Sequence, residues 1–408
     1  MVCLLLGAIA TFNVEVEPAK NKHIVSSVIK NSSIGEGQRT EGGRLLISND
    51  VEISDCVING TILIEGGARV LFDNVTIYVG YYMYVVYPFS PRGFIEVYDD
   101  SYVEIKNSRI IGSTYWPTYI FLYNDSYLVL ENINTSNTMS MEIEVHDNAE
   151  ISIVDSNITS YIDLRENARL HVEGSYGELQ IFAHDDAMVL TTGDIVGNTY
   201  IEASGRSQII ANNFESYSLT VFLYDASTFT IRNSTVYDYI WAVDVSIVDA
   251  VDSQLRVLDV EDRGSITLYN TDVDTLLMDG SSELYVSGGY IGYAVLDWGG
   301  KPTPYSALGP MGTIENATVD TLITHSARIL YLYGCTIVDM YYLLIFNGSF
   351  AEIYPSGWRA DEIYANYIEY YCTFVNPPTI DEKAVVAIGL SKLITNTSSL
   401  YYIYIVMT

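Results

Sequence analysis

The chain is poor in positive charge. Its 408 residues hold 20 Lys and Arg against 51 Asp and Glu, a net charge of −31 with histidine neutral. Binding phosphates takes Lys and Arg, so nucleic acid is excluded as a partner, and an anionic membrane surface with it. Cysteine is scarce as well. Cys3, Cys56, Cys335 and Cys372 are the four, and they form no C-x-x-C pair and no zinc spacing. A bridge between the late pair, Cys335 and Cys372, is left open. No apolar run reaches the ~20 residues of a membrane-spanning helix, which excludes direct bilayer insertion. No serine-nucleophile elbow, phosphate-binding loop, dinucleotide fingerprint or EF-hand loop occurs. No segment carries a sustained helical pattern.

What the chain has is a repeat. Small residues open successive units at Ala149, Ala168, Ala187, Ser207, Ser227, Ser246, Gly264 and Ser282, in steps of 18 to 20 residues. Two positions on stands an apolar residue: Ile151, Leu170, Val189, Ile209, Phe229, Val248, Ile266, Leu284. Another often follows two later, as at Ile153, Val172 and Leu268. A period of two puts both side chains on one face of a strand. A second apolar pair closes many units, such as Ile162 with Leu164 and Val221 with Leu223. Asn, Asp, Ser and Gly fill the intervals, as turns require. A constant period of short strands predicts an all-β fold, a single-stranded parallel β-helix of about 19 residues per rung, because one rung cannot bury its inner face alone.

Earlier openings at Ala68, Ser101, Ser126 and Ala149 are more widely spaced, so those rungs carry loops. The largest is the Tyr-rich segment 78–93; a second insertion, 299–312, holds three of the 10 prolines. The expected organisation is a leader and cap over residues 1–44, the β-helix over 45–376, and a tail or capping strand over 377–408.

This rung pattern, from Leu45 to Ile353, resembles that of the right-handed parallel β-helix proteins, the pectate-lyase-like superfamily in the broad sense. The resemblance implies right-handed coiling. It also implies where chemistry would lie: lyases of that group use Ca²⁺-binding acids with a basic residue, and hydrolases use Asp residues on neighbouring rungs with a nearby His. The candidate catalytic set is His184, Asp185 and Asp186, although G-H-G and R-I-K companions are missing. Its competing explanation is a repeated turn, because Asp147-Asn148 and Glu166-Asn167 fall in the same slot. Asp100, Asp125, Asp147 and Asp185 are candidate turn acids for Ca²⁺, since stacked carboxylates repel unless screened or bridged. No other cofactor is expected.

The remaining signals point outward. N-x-S/T sequons stand at Asn31, Asn59, Asn74, Asn124, Asn134, Asn157, Asn233, Asn316, Asn347 and Asn396. They are expected to carry N-linked glycans, although the repeat itself also places Asn two residues before Ser or Thr. The 35 tyrosines either coat strand exteriors or form a glycan-stacking surface. The start, MVCLLLGAIATF, reads as a secretion signal without its basic region. The lysine-poor, Ile- and aromatic-rich makeup points to a heat-loving archaeal source. Both ends are apolar and strand-like: Leu4, Leu5, Leu6, Ile9 and Phe12 at one, Leu400, Tyr401, Tyr402, Ile403, Tyr404, Ile405 and Val406 at the other. Open solenoid ends seek partners, so these runs either cap the helix or join copies of the chain. The expectation is an extracellular or cell-surface, self-assembling structural protein, a filament or surface-layer subunit without catalysis. The alternatives are a polysaccharide lyase or glycoside hydrolase and a carbohydrate-binding adhesin.

Overall fold

The computed structural model describes residues 38–41, 44–59, 61–78, 95–111, 118–135, 141–195, 197–216, 218–296, 310–324, 329–341 and 367–376. It is a parallel β-solenoid of about 13 turns with about 19 residues in each and, among the described residues, no helix. Two compact units divide it, Met1–Ile201 with Ser207–Ile209, and Glu202–Arg206 with Ile210–Thr408.

In the first unit each turn contributes a strand to two long faces. On one face Thr118–Leu122, Met141–Val145, Ser160–Leu164 and Leu179–Ala183 pair in parallel, each with the next. On the other, Arg69–Asp73, Tyr102–Lys106, Tyr127–Glu131, Glu150–Val154, Arg169–Glu173 and Met188–Thr192 do the same. A third, shorter set begins with Val57–Asn59, Thr76–Tyr78 and Arg109–Ile111. Register is in step throughout. Ile120, Ile143, Ile162 and Ile181 therefore stack as one fully buried column, and Val103, Leu128, Ile151 and Leu170 as another. Each such side chain contributes about 1.5–3 kcal/mol by burial. The small residues that open each unit sit at a buried corner: Ala149, Ala168, Ala187, Ser207, Ser227, Ser246 and Ser282 are all 0% exposed.

The second unit repeats the scheme. Thr228–Arg232, Ile247–Val251, Ser265–Tyr269 and Glu283–Ser287 form one parallel series, and Thr235–Ala242, Gln254–Val260, Asp272–Met278 and Tyr290–Leu296 another. Strand Ile329–Tyr341 then spans both series, pairing with Met311–Glu315 and with Thr318–Ile323.

Two turn columns force the backbone into the left-handed region. One runs through Asp99, Asn124, Asp147, Glu166 and Asp185, with φ between 58° and 63°. The second passes Asp55, Asn74, Asn107, Asn132 and Asp155, with φ between 47° and 54°, and continues as Gly174 and Gly193. Asn, Asp and Gly tolerate this region best, which is why the repeat is punctuated by them. Glu166 is the exception.

Among the described residues one strand departs from the parallel rule. Gln38–Glu41 pairs antiparallel with Arg44–Ile47 and so lies inside the segment read as leader. It covers the outer edge of Arg44–Ile47 with the sequence Gln-Arg-Thr-Glu. The apolar runs at Leu4–Phe12 and Leu400–Val406 fall outside the described residues, as do residues 79–93 of the Tyr-rich segment and most of the proline-bearing insertion.

Candidate functional site

The acids singled out by sequence stand on a corner, and the corner uses them. The left-handed turn residue has an N–H that the rung-to-rung backbone ladder leaves free, and a side chain one rung on accepts it. Gly66 donates to Asp99 Oδ2 at 2.8 Å, Asp99 to Asn124 Oδ1 at 3.3 Å, and Asn124 to Asp147 Oδ2 at 2.8 Å. Asp147 donates to Glu166, and Glu166 to Asp185 Oδ2 at 3.3 Å. In the second unit Gly205 donates to Asp225 and Asp225 to Asp244. Buried or turn N–H groups without partners are costly, so each carboxylate here is a structural acceptor.

Asp100 and Asp125 do not share that column. They lie one residue further on, where Asn148 donates to Asp125 Oδ1 at 3.0 Å and Asn167 to Asn148 Oδ1 at 3.2 Å. The four candidate Ca²⁺ acids are thus split between two ladders. Among the described residues no group of three or more His, Cys, Asp or Glu is placed to hold a metal ion.

A second corner is built from hydroxyls. Ser156 donates to Val154 O at 2.7 Å and accepts the N–H of Ile133 at 2.9 Å. Ser108 and Ser175 repeat this in the first unit, Ser234 and Ser253 in the second. Cys335 occupies the equivalent place, its Sγ 2.9 Å from Ile314 O. It is a free, buried thiol. Burial raises its pKa.

The tyrosines also stack rung on rung. Tyr98, Tyr123 and His146 form a column with ring centroids 4.9 and 5.0 Å apart. Tyr102 lies 5.4 Å above Tyr127 at 9°. Rings stacked this way cover one another's faces, which removes most of the flat surface a sugar would need. Tyr102, Tyr127, Glu52, Arg69 and Asp100 line a shallow groove of about 700 Å³ on this unit.

The face formed by Thr118–Leu122, Met141–Val145, Ser160–Leu164 and Leu179–Ala183 is different in kind. Its outward positions bring Glu144, Asp163 and Phe182 into one cross-strand column. Beside it runs the column of His146, Arg165 and His184, whose backbone N–H groups bond to Leu122, Val145 and Leu164 respectively. The imidazole of His146 lies 3.3 Å from Glu144. Arg165 donates through Nε and Nη2 to Asp163 Oδ2, at 3.1 and 2.6 Å. His184 Nε2 lies 3.7 Å from Asp163 Oδ1, too far for a hydrogen bond. Asp163 is 6% exposed, and its Oδ1 has no hydrogen-bond partner. On the outer flank, burial raises the pKa of Glu142, the Tyr119 hydroxyl lowers it, and the Glu144 charge adds to the rise.

His184 therefore faces Asp163, a strand residue of the preceding rung, and not its sequence neighbours. Asp185 is occupied with the Glu166 N–H. Sequence reasoning passed over Glu144 and Asp163 because outward strand positions carry ordinary polar residues. The available signal was alignment across rungs, which sets Asp163 directly beside Glu144.

Seven of the ten sequon asparagines are described. Asn74, Asn124, Asn157, Asn233 and Asn316 are exposed. Asn74, Asn124, Asn233 and Asn316 are left-handed turn residues, so the fold alone accounts for an Asn there. Asn59 ends a strand and Asn134 makes an isolated bridge; Asn31, Asn347 and Asn396 lie outside the described residues.

No protein-family model, curated protein or solved structure matches this chain.

Proposed function

We propose that this protein is an extracellular structural β-solenoid, N-glycosylated, which assembles with copies of itself as a filament or surface-layer subunit. The observation that carries this reading is the use of corner side chains along the axis. Carboxylate–amide, Asx, hydroxyl–carbonyl and tyrosine ladders each tie a rung to the next, so the side chains that recur are devoted to holding rungs together. Such rung-to-rung ties suit a load-bearing role. Strand Gln38–Glu41 bears on the route of assembly. Charged residues on an edge strand disfavour pairing with another chain, and Arg39 and Glu41 provide them. The proposal therefore places the connection at the other end, through Leu400, Tyr401, Tyr402, Ile403, Tyr404, Ile405 and Val406.

Electron microscopy of the secreted protein tests it. Filaments or lattices are expected, lost on deletion of residues 400–408 without loss of the β-sheet circular-dichroism signal. A monodisperse monomer, or assembly unaffected by the deletion, refutes it. Glycopeptide mass spectrometry is expected to find glycan on Asn157, the exposed sequon outside the left-handed turn columns.

One observation favours a second reading, a saccharide-binding or saccharide-cleaving surface: the buried, unpartnered Asp163 Oδ1 beside His184, Arg165 and Glu144.

A further inference from the structure

We propose that residues 28–37 of this chain dock along the open edge of Val51–Ser54 as an antiparallel strand and close the first rung to other copies. The inference goes beyond the assembly reading and does not rest on it. It starts from an edge. Among the described residues Val51–Ser54 pairs on one side only, with Arg69–Asp73, and Val57–Asn59 only with Thr76–Tyr78. Val51 and Ile53 share their face with Val70 and Phe72, their partners one rung on. Val70 and Phe72 are fully buried, whereas Val51 and Ile53 are only half-buried. A strand edge with an open apolar face accepts a further strand.

The direction of the chain supplies that strand. Gln38–Glu41 runs antiparallel to Arg44–Ile47, with Gln38 opposite Ile47. Followed back from Gln38, the chain therefore arrives at the corner 48–50, from which Val51–Ser54 departs. Continued residue for residue, this register sets Gly35, Glu36 and Gly37 beside the corner and Ile34 beside Val51. Glycine suits a chain that must bend there, and Ile34 covers the half-buried Val51. The same register brings Val28 to Val57. Ile24, Val25, Val28, Ile29 and Ile34 are β-branched, as strands prefer.

Charge selects the same occupant. Asp50, Glu52 and Asp55 line this edge. Asp50 and Glu52 also border the groove in which Asp100 and Glu104 stand against the single cation Arg69. A negative edge favours a cationic strand over a neutral or acidic one. Three of the chain's seven lysines, Lys20, Lys22 and Lys30, fall within residues 18–35, which hold no Asp or Glu, although the whole chain carries a net charge of −31. The continued register brings Lys30 to Asp55. The apolar end of a second copy, Leu400–Val406, has no Lys or Arg and gains nothing from these carboxylates.

Disulfide trapping on the full chain tests the docking. The register sets Ser33 opposite Glu52, and antiparallel neighbours lie ~4.5–5.5 Å apart at Cα, within reach of a disulfide. In a background with Cys3, Cys56 and Cys372 changed to Ser, Ser33→Cys with Glu52→Cys is expected to bridge within one chain. The rate should not depend on protein concentration. It should exceed at least tenfold that of Ser33→Cys with Arg169→Cys, further along the same face. Equal rates for the two pairs overturn the proposal, and so does a bridge formed only between chains, which would make a second copy the occupant. Hydrogen exchange of residues 48–56 is the second measurement. Deleting residues 20–37 should speed it at least tenfold, and Ile34→Asp in the full chain at least threefold. Unchanged exchange in the deletion overturns the proposal. If the deletion variant fails to fold, Ile34→Asp decides in the same way.

Discussion

The carboxylate of Asp147 accepts the backbone N–H of Asn124, one rung away, at 2.8 Å. The same residue sits at φ 59°. One side chain thus satisfies a turn amide and belongs to a residue type that tolerates the left-handed backbone. The two roles separate by substitution. Asp147→Asn keeps both and is expected to cost least. Asp147→Gly keeps only the backbone freedom. Asp147→Ala loses both, at about 2–4 kcal/mol from the missing charged acceptor and the strained turn together. Denaturant midpoints should fall in that order, and equal midpoints for Gly and Ala would refute the backbone argument.

Two serine columns look alike in sequence and should respond oppositely. Ser126 is buried, and its hydroxyl has no partner; the equivalent corner is alanine at 149, 168 and 187. Ser156 both donates and accepts. Ser126→Ala is therefore expected to be neutral or to stabilise by up to about 1 kcal/mol, and Ser156→Ala to cost about 1–2 kcal/mol. Ser126→Ala also removes the Asn124 sequon, so any glycan there should vanish without loss of fold. Thermal melts of the two variants check the contrast.

Much of the fold was legible because the solenoid repeats its physics. The opening residues Ala149, Ala168 and Ala187 and the apolar pairs behind them mark strand and corner directly, since every rung meets the same neighbours above and below. Turn acids such as Asp185 were legible as turn residues for the same reason. Their partners were not: a carboxylate bonding to an amide of the preceding rung leaves no trace in spacing beyond the repeat itself. Asp163 was less legible still. Its place between Ile162 and Leu164 says only that it points outward, and its burial comes from Glu144, Arg165 and His184 gathering over it. Strand Gln38–Glu41 was hidden by its polarity, which suits an edge and resembles a loop.

Cys56 follows one of the left-handed turns, and burial, with the charge of Asp55 beside it, pushes its pKa up to about 11. The thiolate is the reactive species. In a Cys3→Ser, Cys372→Ser background, Cys56 should react with a disulfide reagent at pH 8 on the order of 100-fold more slowly than a thiol of ordinary pKa near 8.5, and Cys335 should also be slowed. Unfolding in guanidinium should restore the ordinary rate. Fast labelling of the native protein would refute the burial of both thiols.

Glu142 gives a pH dependence of definite sign. Burial raises its pKa above the ordinary value, so the folded state holds its proton more tightly than the unfolded chain does. Stability contributed by the protonated form is present below the unfolded pKa and is lost as pH rises through the folded one. Above that window the ionised carboxylate is a net cost to folding. Glu142→Gln removes the charge and keeps an oxygen near Tyr119. The variant should match the parent near pH 3, where both side chains are neutral, and melt higher than the parent at pH 7. Melting curves of the pair across that range measure the difference directly. A parent more stable than the variant at neutral pH would mean that the Tyr119 hydroxyl outweighs burial at this carboxylate.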